Sequence, residues 1–395
     1  MSEMKLRWLA VAAMINNLGM SFVWPLTSVY LHNQLHQSLT VIGVVLLVNS
    51  LTGVAGSTLS GVLYDGHNPF KLLRGAAIIL LGVMVGLTLW HGWPIFPVWL
   101  AIEGFLAGWI QAQINAIGTS IHSTASKRVF NTLYLFQNLG VVIGSSMVGF
   151  LYDINVALLF AVAAVLFVIF LIILQLTFQP VNRQTTSHLE TAQNVAQPSA
   201  YPRANRIMVY IGFLTLFTIW VMYQQWVSNV SVYMTHLGFA LSQYSILWTI
   251  NAAGIVLIQM GLNLLPSHWI TERMQITFGM VMFILSFIVL SFAHQYAEFV
   301  SAMILLTIGE STMFPAIPAL VNQLSDGSRK GKYQGMLKAL ISAGRAVGPL
   351  IGGIIIEATS YTWLFRSAVA LYVLLLVILL VSFAFVMHRT VNYED

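Results

Sequence analysis

Two glutamates and one arginine lie inside long apolar stretches of the sequence, where an ionisable side chain is costly. They are Glu103, Glu310 and Arg345. Charged groups within a lipid bilayer are expensive and therefore mark candidate functional sites. A carboxylate whose access to water changes can gain or lose a proton, or bind a cation. A buried hydrogen bond or ion pair between helices is the structural alternative, and the residues alone leave both open.

The two acids and the arginine have related positions. Shifting Glu103 by 204 residues brings it within one helical turn of Glu310, and Arg345 lies at about the depth of Glu310 in the following apolar run. We expect Glu310 and Arg345 to pair in at least one state, because an unpaired arginine would be costly there. The pair is either a switch that breaks on protonation or a permanent strut. Lys338 lies close enough to a helix end to reach water.

The sequence lacks the residue patterns of metal sites, phosphate-binding loops and nucleophilic catalysis. The chain has no cysteine, and its ten histidines lie in loops or near the ends of apolar runs. No His, Asp and Glu cluster has the spacing of a metal site, and phosphate-binding loops and nucleophile motifs are absent. The sequence contains no basic helix interleaved with aromatic residues, so we do not expect it to bind nucleic acid. We therefore expect no enzyme activity, no cofactor and no metal.

The composition indicates which elements position the two acids. Of 395 residues, 58% are hydrophobic and 7% are charged, whereas a soluble protein has about 25% charged residues. A span of roughly 20 apolar residues crosses a bilayer as a helix. Twelve such runs predict an all-α membrane protein: 7–31, 40–64, 72–90, 96–121, 131–152, 156–178, 207–234, 241–264, 273–293, 297–322, 333–356 and 362–387.

Basic residues orient these twelve spans. Fourteen of the 17 Lys and Arg residues fall at one set of span ends, and Arg366 alone falls at the other. Since positive loops stay in the cytoplasm, both termini are predicted to be cytoplasmic. The N-terminal apolar run has no cleavage site after it, so we interpret it as a retained first span.

The chain also contains a repeat. Residues 179–206, rich in Gln, Thr, Ser and Pro, predict a flexible cytoplasmic linker between bundles 1–178 and 207–395, each with six spans. Four residues of span five recur 204 positions later in span eleven: Gly140, Gly144, Gly149 and Asp153 become Gly344, Gly348, Gly353 and Glu357. Small residues are common in membrane helices, but four matches at one offset favour a duplication.

With this repeat, the chain resembles the major facilitator superfamily, and within it the twelve-span bacterial drug:proton antiporters. Span one carries Leu18-Gly19, then Pro25 and Ser28-Val29-Tyr30-Leu31. The loop after span two carries Gly61-Val62-Leu63-Tyr64-Asp65 and Lys71. Span eleven carries Gly348-Pro349-Leu350-Ile351-Gly352-Gly353, and span ten carries Gly309-Glu310 with Pro315. These segments are similar to the signature motifs of that branch.

The sequence departs from the family pattern in places. Gly66, Asn68, Pro69 and Phe70 replace basic and glycine residues of the loop motif, and Leu100 stands near the place of an expected arginine in span four. Ser145 replaces the proline of the antiporter motif in span five, so that motif is complete only in span eleven.

The resemblance implies a fold of two pseudo-symmetric six-helix bundles, and a cavity lined by spans one, four, seven and ten. The charges inside these spans predict proton coupling by Glu310 and Glu103 with Arg345, and the resemblance implies gating by Asp65, Gly61, Lys71, Gly348 and Pro349. Polar side chains at helical spacing predict which faces turn inward. The predicted substrate contacts are Asn17, Trp24, Gln113, Gln225, Trp226 and Asn229. The alternative for these residues is hydrogen bonding between helices.

We therefore expect a secondary transporter in the cell membrane. Its expected activity is proton-coupled efflux of small amphipathic or cationic molecules by alternating access, and the family implies a monomer. A carrier of sugars or other polar nutrients, as a symporter or facilitator, is the second hypothesis. A membrane scaffold or sensor that no longer transports is the third, because several motifs are altered.

Overall fold

Twelve helices long and apolar enough to cross a membrane form the described part of the chain. The computed structural model describes residues 6–119, 121, 126–177, 203–264, 271–324 and 330–391. The helices are α1 (Leu6–Gln34), α2 (Leu39–Gly66), α3 (Pro69–Leu89), α4 (Ile95–Thr119), α5 (Ser126–Ile154), α6 (Val156–Thr177), α7 (Arg203–His236), α8 (Leu241–Leu264), α9 (Glu272–Phe292), α10 (Tyr296–Leu324), α11 (Lys330–Ala358) and α12 (Tyr361–Val391). The predicted twelve spans and all-helical class are confirmed.

Helix α1 is interrupted where a proline stops its hydrogen-bond ladder. It runs as Leu6–Ser21, then Trp24–Val29, and ends in a π-helical turn, Tyr30–Gln34. Pro25 has no N–H to donate to the carbonyl of Ser21, so the helix breaks in the turn before it. The bend therefore follows from one residue of the first-span motif.

Several helices begin with a side-chain cap. Oδ1 of Asn68 accepts the N–H groups of Phe70 at 2.9 Å and Lys71 at 3.3 Å, and Pro69 occupies the first turn of α3. Proline suits this position because the first N–H groups of a helix lack an internal partner. The Asn68-Pro69-Phe70 departure from the family loop motif therefore starts helix α3.

Four helices begin three to five residues ahead of their predicted apolar runs. Helices α3, α5, α7 and α11 begin at Pro69, Ser126, Arg203 and Lys330. An apolar run marks only the part of a helix that lies in hydrocarbon, while polar first turns extend into water. The predicted linker lies outside the described residues up to position 202.

Contacts between Cα atoms divide the chain into two units. The first comprises Met1–His188 with Val227–Thr249, and the second comprises Leu189–Trp226 with Ile250–Asp395. The end of α7 and the start of α8 therefore belong with the first six helices. The predicted bundle limits, 1–178 and 207–395, stay a prediction.

In the first unit, α2 and α4 interlock through glycines on both helices. A Cβ atom at Gly56 would collide with the carbonyl oxygen of Phe105, and one at Gly108 with that of Gly53. Ser60 donates a hydrogen bond across the same interface to the carbonyl of Trp109 at 3.0 Å. Small residues permit this backbone approach, which provides van der Waals contact where lipid gives no hydrophobic driving force.

The glycine repeat has the same structural use in both sequence halves. In the first unit, a Cβ at Gly140 would meet the carbonyl of Met14, and one at Gly144 would meet that of Leu18. In the second unit, Gly344 lies against Phe217 and Trp220, and Gly348 lies against Val221 and Gln224. These pairs therefore pack α5 on α1 and α11 on α7, which explains why they recur at one offset.

The outer surface is apolar. Large side chains are widely exposed, among them Val62 at 70%, Leu257 at 69% and Leu176 at 76%. Aromatic rings such as Phe167 and Phe283 are fully buried within the units. A surface with this much exposed hydrocarbon is suited to lipid rather than water.

Candidate functional site

Glu310 on α10 is held by two uncharged donors from other helices. Its Oε2 accepts the hydroxyl of Tyr223 on α7 at 3.1 Å and Nδ2 of Asn251 on α8 at 3.0 Å. Asn251 also donates to Oγ1 of Thr307, one turn before the glutamate, at 3.0 Å. Tyr223 and Asn251 are buried. Both donors are neutral, so these two hydrogen bonds do not cancel the charge of an ionised Glu310. The carboxylate can therefore bind a proton or a cation.

A cluster of aromatic rings includes Tyr223, whose hydroxyl donates to this carboxylate. The centroids of Trp220 and Phe314 lie 4.9 Å apart in stacked rings, and Tyr223 meets Trp220 at 5.2 Å and Phe314 at 5.5 Å edge to face. Phe283 of α9 stacks on Phe314 at 6.0 Å. Aromatic faces attract cations and provide a large apolar contact area. The site thus combines one acid with several π faces.

Arg345 on α11 belongs to the same site. Its guanidinium carbon lies 5.0 Å from the centroid of the Trp220 ring, and its side chain is exposed. It is also within electrostatic range of Glu310 and Tyr223. The structure therefore places Arg345, Glu310 and Tyr223 in one cluster, while a direct Glu310–Arg345 pair stays a prediction.

Glu103 on α4 lies in the interface between α2 and α4. It is 5% exposed, and its Oε2 accepts Nδ2 of Asn49 at 2.7 Å. The same amide donates to the carbonyl of Leu100 at 2.7 Å. Next to it, a Cβ at Gly104 would collide with the carbonyl oxygen of Asn49, so α2 and α4 are in close contact at this acid.

An asparagine donates to the acid in each half, and the sequence analysis did not single out either one. Asn49 lies on the second span and Asn251 on the eighth, and they donate to Glu103 on the fourth span and Glu310 on the tenth. The available signal was an amide inside an otherwise apolar span, which is costly in lipid unless it has a partner. Only the packing of the helices shows which acid each asparagine contacts.

The donors around both acids are amide and hydroxyl groups. Among the residues that the structure describes, no three His, Asp or Glu side chains gather as a potential metal site. A lone carboxylate beside neutral donors and rings suits a proton or an organic monovalent cation better than a divalent metal, which requires more oxygen ligands.

Three predicted substrate contacts on α7 are buried. Nε2 of Gln225 donates to the carbonyls of Val221 and Gly348, each at 2.8 Å. Trp226 is 0% exposed, and Asn229 is also buried. Gln225 joins α7 to the Gly348-Pro349 motif of α11, so in this conformation it has the helix-packing role.

The predicted contacts on α1 and α4 separate into two groups. Asn17 donates to Oε1 of Gln111 at 3.5 Å, and Gln111 donates to Oδ1 of Asn115 at 3.4 Å, forming a row of partly accessible amides. Gln113 is fully buried and donates to Oγ of Ser60 at 2.9 Å. Asn17 is therefore accessible for binding, whereas Gln113 fastens α4 to α2.

The predicted gating residues are described only in part. Gly61 and Lys71 are exposed, and nothing lies within 4 Å of a Cβ placed at Gly61. Gly348 and Pro349 are buried in α11. The side chains of Asp65 and Trp24 lie outside what the structure describes. The gating assignments stay predictions.

A contact in the first unit joins the end of α5 to the start of α8, and it is here termed the far-end contact. The N–H of Gly149 on α5 donates to Oγ of Ser245 on α8 at 3.0 Å, and a Cβ at Gly149 would collide with the backbone of Ser242. Nearby, Nδ2 of Asn33 donates to Oγ1 of Thr235 at 3.0 Å. The close approach depends on the missing side chain of Gly149.

Gly149→Val is expected to open this far-end contact, because the valine methyl groups cannot fit against the backbone of α8. The chain has no native cysteine, so Thr235→Cys provides a single reporter. We expect a membrane-impermeant maleimide to label this cysteine faster in the Gly149→Val background. Gly75→Val is the matched control, since nothing lies within 4 Å of its Cβ position. Equal labelling in both backgrounds would argue against a seal at this contact.

Comparisons with known proteins cover nearly the whole chain. A family model described as Major Facilitator Superfamily matches residues 9–276 and 265–392. The MFS-type transporter YttB of Bacillus subtilis (strain 168) is 35% identical over 380 residues, covering 96% of this chain and 93% of that protein. Multidrug resistance protein 1 of the same organism is 22% identical, covering 86% of each chain.

A solved structure supports the same fold. The POT family transporter PepTSo superposes with a TM-score of 0.76 at 12% identity, covering 100% of this chain and 99% of that one. At this identity the likeness concerns the fold alone. Together with the family model over both halves, it shows that this twelve-helix chain belongs to the Major Facilitator Superfamily of membrane transporters.

Proposed function

We propose that the protein exports small amphipathic cations in exchange for protons, by alternating access. Glu310 is the proton and cation site, Glu103 is a second titrating carboxylate, and Arg345 responds to the charge on Glu310. The protein acts as a monomer in the cell membrane with both termini in the cytoplasm, as the distribution of Lys and Arg predicts.

The observation that supports this proposal most directly is the environment of Glu310. One acid held by the neutral groups of Tyr223 and Asn251 can bind either a proton or a cation. The stacked rings of Trp220 and Phe314 beside it favour an apolar cation. Competition of proton and substrate for one carboxylate is sufficient to couple their movements, because occupation by one excludes the other.

A relative also supports export. The protein named Multidrug resistance protein 1, at 22% identity, carries a name that refers to resistance to several drugs. Resistance through a membrane transporter requires outward movement of the compound. We extend this direction of transport to the present chain as part of the proposal.

A carrier of polar nutrients is the second candidate. The partly accessible amides of Asn17, Gln111 and Asn115 could donate to and accept from sugar hydroxyls. This row contains no charge, so a neutral hydroxylated substrate would fit it. The row and the Glu310 site therefore favour different substrate classes, which an experiment can separate.

Proteoliposomes with an acidic lumen and an enclosed pH-sensitive dye test the proposal. Tetraphenylphosphonium, ethidium and a set of sugars are added outside, with protein-free liposomes as the control for unassisted entry of lipophilic cations. We expect the cations to cause a rise in lumenal pH that requires the protein. Sugars are expected to cause none.

Two results would replace the proposal. Tracer sugar flux without proton movement would favour the nutrient carrier. A rate of cation flux that does not depend on the imposed proton gradient would identify a facilitator. Glu310 would then have no coupling role.

Tyr223→Phe should weaken coupled transport about tenfold, because a hydrogen bond to a charged group contributes roughly 1.5–3 kcal/mol. The substitution keeps the ring and removes only the hydroxyl that donates to Glu310 at 3.1 Å. Initial rates of cation-driven pH change measure the effect. Tyr244→Phe is the control, since its hydroxyl donates to the carbonyl of Val227 instead. Equal losses in both variants would point to a general packing effect.

A further inference from the structure

Arg345 already places a cation on the aromatic surface of the Glu310 site. Its guanidinium carbon lies 5.0 Å from the Trp220 ring centroid, within the range of a cation–π contact. Trp220 contacts Tyr223 at 5.2 Å, and Tyr223 donates to Glu310 at 3.1 Å. The guanidinium group thus lies one ring away from the only hydroxyl donor described for this carboxylate.

The geometry of this contact allows exchange. The Arg345 side chain is exposed and Trp220 is half-buried, so both partners of this contact are accessible. Trp220 also stacks on Phe314 at 4.9 Å and meets Tyr223 edge to face at 5.2 Å, and these two contacts fix the orientation of its ring. A long flexible arginine can leave a ring that stays in place, whereas the stacked rings have little freedom to move.

We propose that Arg345 is a tethered cation that occupies the Trp220 ring when no substrate is bound, and that a cationic aromatic or amphipathic substrate binds by displacing it. This inference rests on the proposed function, because it concerns the same site. Substrates must then carry a positive charge and a flat or apolar surface that competes with guanidinium. A neutral compound lacks the charge and cannot replace the lost cation–π contact.

Displacement also gives Arg345 a role in selectivity. Small ammonium ions are strongly hydrated, so a cation–π contact with Trp220 gives them little net binding free energy. They therefore do not displace the guanidinium group of Arg345. Arg345 would therefore set a threshold of affinity for the site. Removing it should strengthen equilibrium binding, which is the opposite of what removal of an ordinary binding residue does.

Equilibrium binding of tetraphenylphosphonium to purified protein, without any gradient, tests this inference. We expect Arg345→Gln to bind the probe about tenfold more tightly than the wild type, since a partly desolvated cation–π contact contributes about 1–2 kcal/mol. Arg366→Gln is the matched control, because the guanidinium carbon of Arg366 lies 5.9 Å from the ring centroid of Phe292, where α9 ends and α12 begins. That variant should bind like the wild type. Arg345→Met asks the same question if the glutamine variant is not monodisperse.

A second arm separates displacement from simple charge repulsion, since removal of any nearby positive charge attracts a cation. Millimolar guanidinium chloride should compete with the probe in Arg345→Gln, because it occupies the vacated place on Trp220. It should have little effect on the wild type beyond that of sodium chloride at equal ionic strength. Tighter binding that guanidinium does not reverse would overturn the proposal in favour of long-range electrostatics.

The outcomes also separate this inference from the proposed function. If the wild type exchanges protons for the probe but Arg345→Gln binds it no more tightly, only the tethered-cation proposal fails. If neither protein binds the probe or any other cation tested, both proposals fail together. Binding by Arg345→Gln alone would support the tethered cation and show that it blocks the site in the wild type.

Discussion

Glu310→Gln is expected to reduce cation-driven proton release to the level of protein-free liposomes, while substrate exchange without a proton gradient continues at weaker affinity, because the rings of Trp220 and Phe314 remain and the carboxylate charge is lost. A glutamine oxygen can still accept the hydrogen bonds from Tyr223 and Asn251 that reach Oε2 at 3.1 and 3.0 Å, so the local structure should persist. The amide cannot bind or release a proton, so substrate and proton are no longer linked. The measurements are dye-reported proton flux and counterflow of labelled substrate in the same liposomes.

Glu298→Gln is the matched control on the same helix. Glu298 is half-buried, and its carboxylate accepts the backbone N–H groups of His294 at 2.6 Å and Gln295 at 2.8 Å at the start of α10. This capping role leaves it away from the aromatic cluster, so coupled transport should be retained. Full proton release by Glu310→Gln would exclude Glu310 as the coupling site and direct attention to Glu103.

Gly56→Ala is expected to destabilise the first unit more than alanine at Gly53 or Gly61 of the same helix. The added Cβ would collide with the carbonyl oxygen of Phe105 on α4, and a backbone atom cannot rotate away as a side chain can. Overpacking of this kind costs about 1–3 kcal/mol or more. We expect a lower yield of monodisperse protein and a lower melting temperature in detergent.

Gly82→Ala provides the control for the change in residue type. Gly82 lies on α3 with nothing within 4 Å of its Cβ position. Alanine favours a helix over glycine by about 1 kcal/mol, so this variant should match or exceed the wild type in stability. If Gly56→Ala melts like Gly82→Ala, α2 and α4 do not pack as closely as the structure shows.

The two acids show where sequence information ends. Their presence in apolar spans was enough to mark them, since charge in lipid needs a reason. Their partners could not be inferred, because Asn49 and Asn251 are distant in sequence and belong to other helices. Arg345, the partner predicted for Glu310, lies over the Trp220 ring and within electrostatic range of Glu310, so that pair stays a prediction. Depth along a helix is readable from sequence, but rotation about its axis is not.

The amides of α4 make the same point. Gln111, Gln113 and Asn115 follow one another at close spacing on α4, and of these the sequence analysis assigned Gln113 to substrate binding. The structure places Gln113 against Ser60 in the α2–α4 interface and leaves the other two partly accessible. Helix–helix hydrogen bonding and substrate binding use the same residue types, so only packing distinguishes them.

The sequence by itself determined the membrane class, the twelve helices and the glycine repeat, because these depend on apolar length and on small residues at fixed spacing. It also determined which charges are unusual. The tertiary structure alone decided which donors meet Glu310, which ring lies under Arg345 and which amides fasten helices together. These contacts join residues far apart in the sequence, 59 positions for Asn251 and Glu310 and 87 positions for Tyr223 and Glu310, and they depend on the rotation of each helix in its bundle. Hydrophobicity fixes the position of a span in the membrane but not the azimuth of its side chains, and the azimuth is set by close packing.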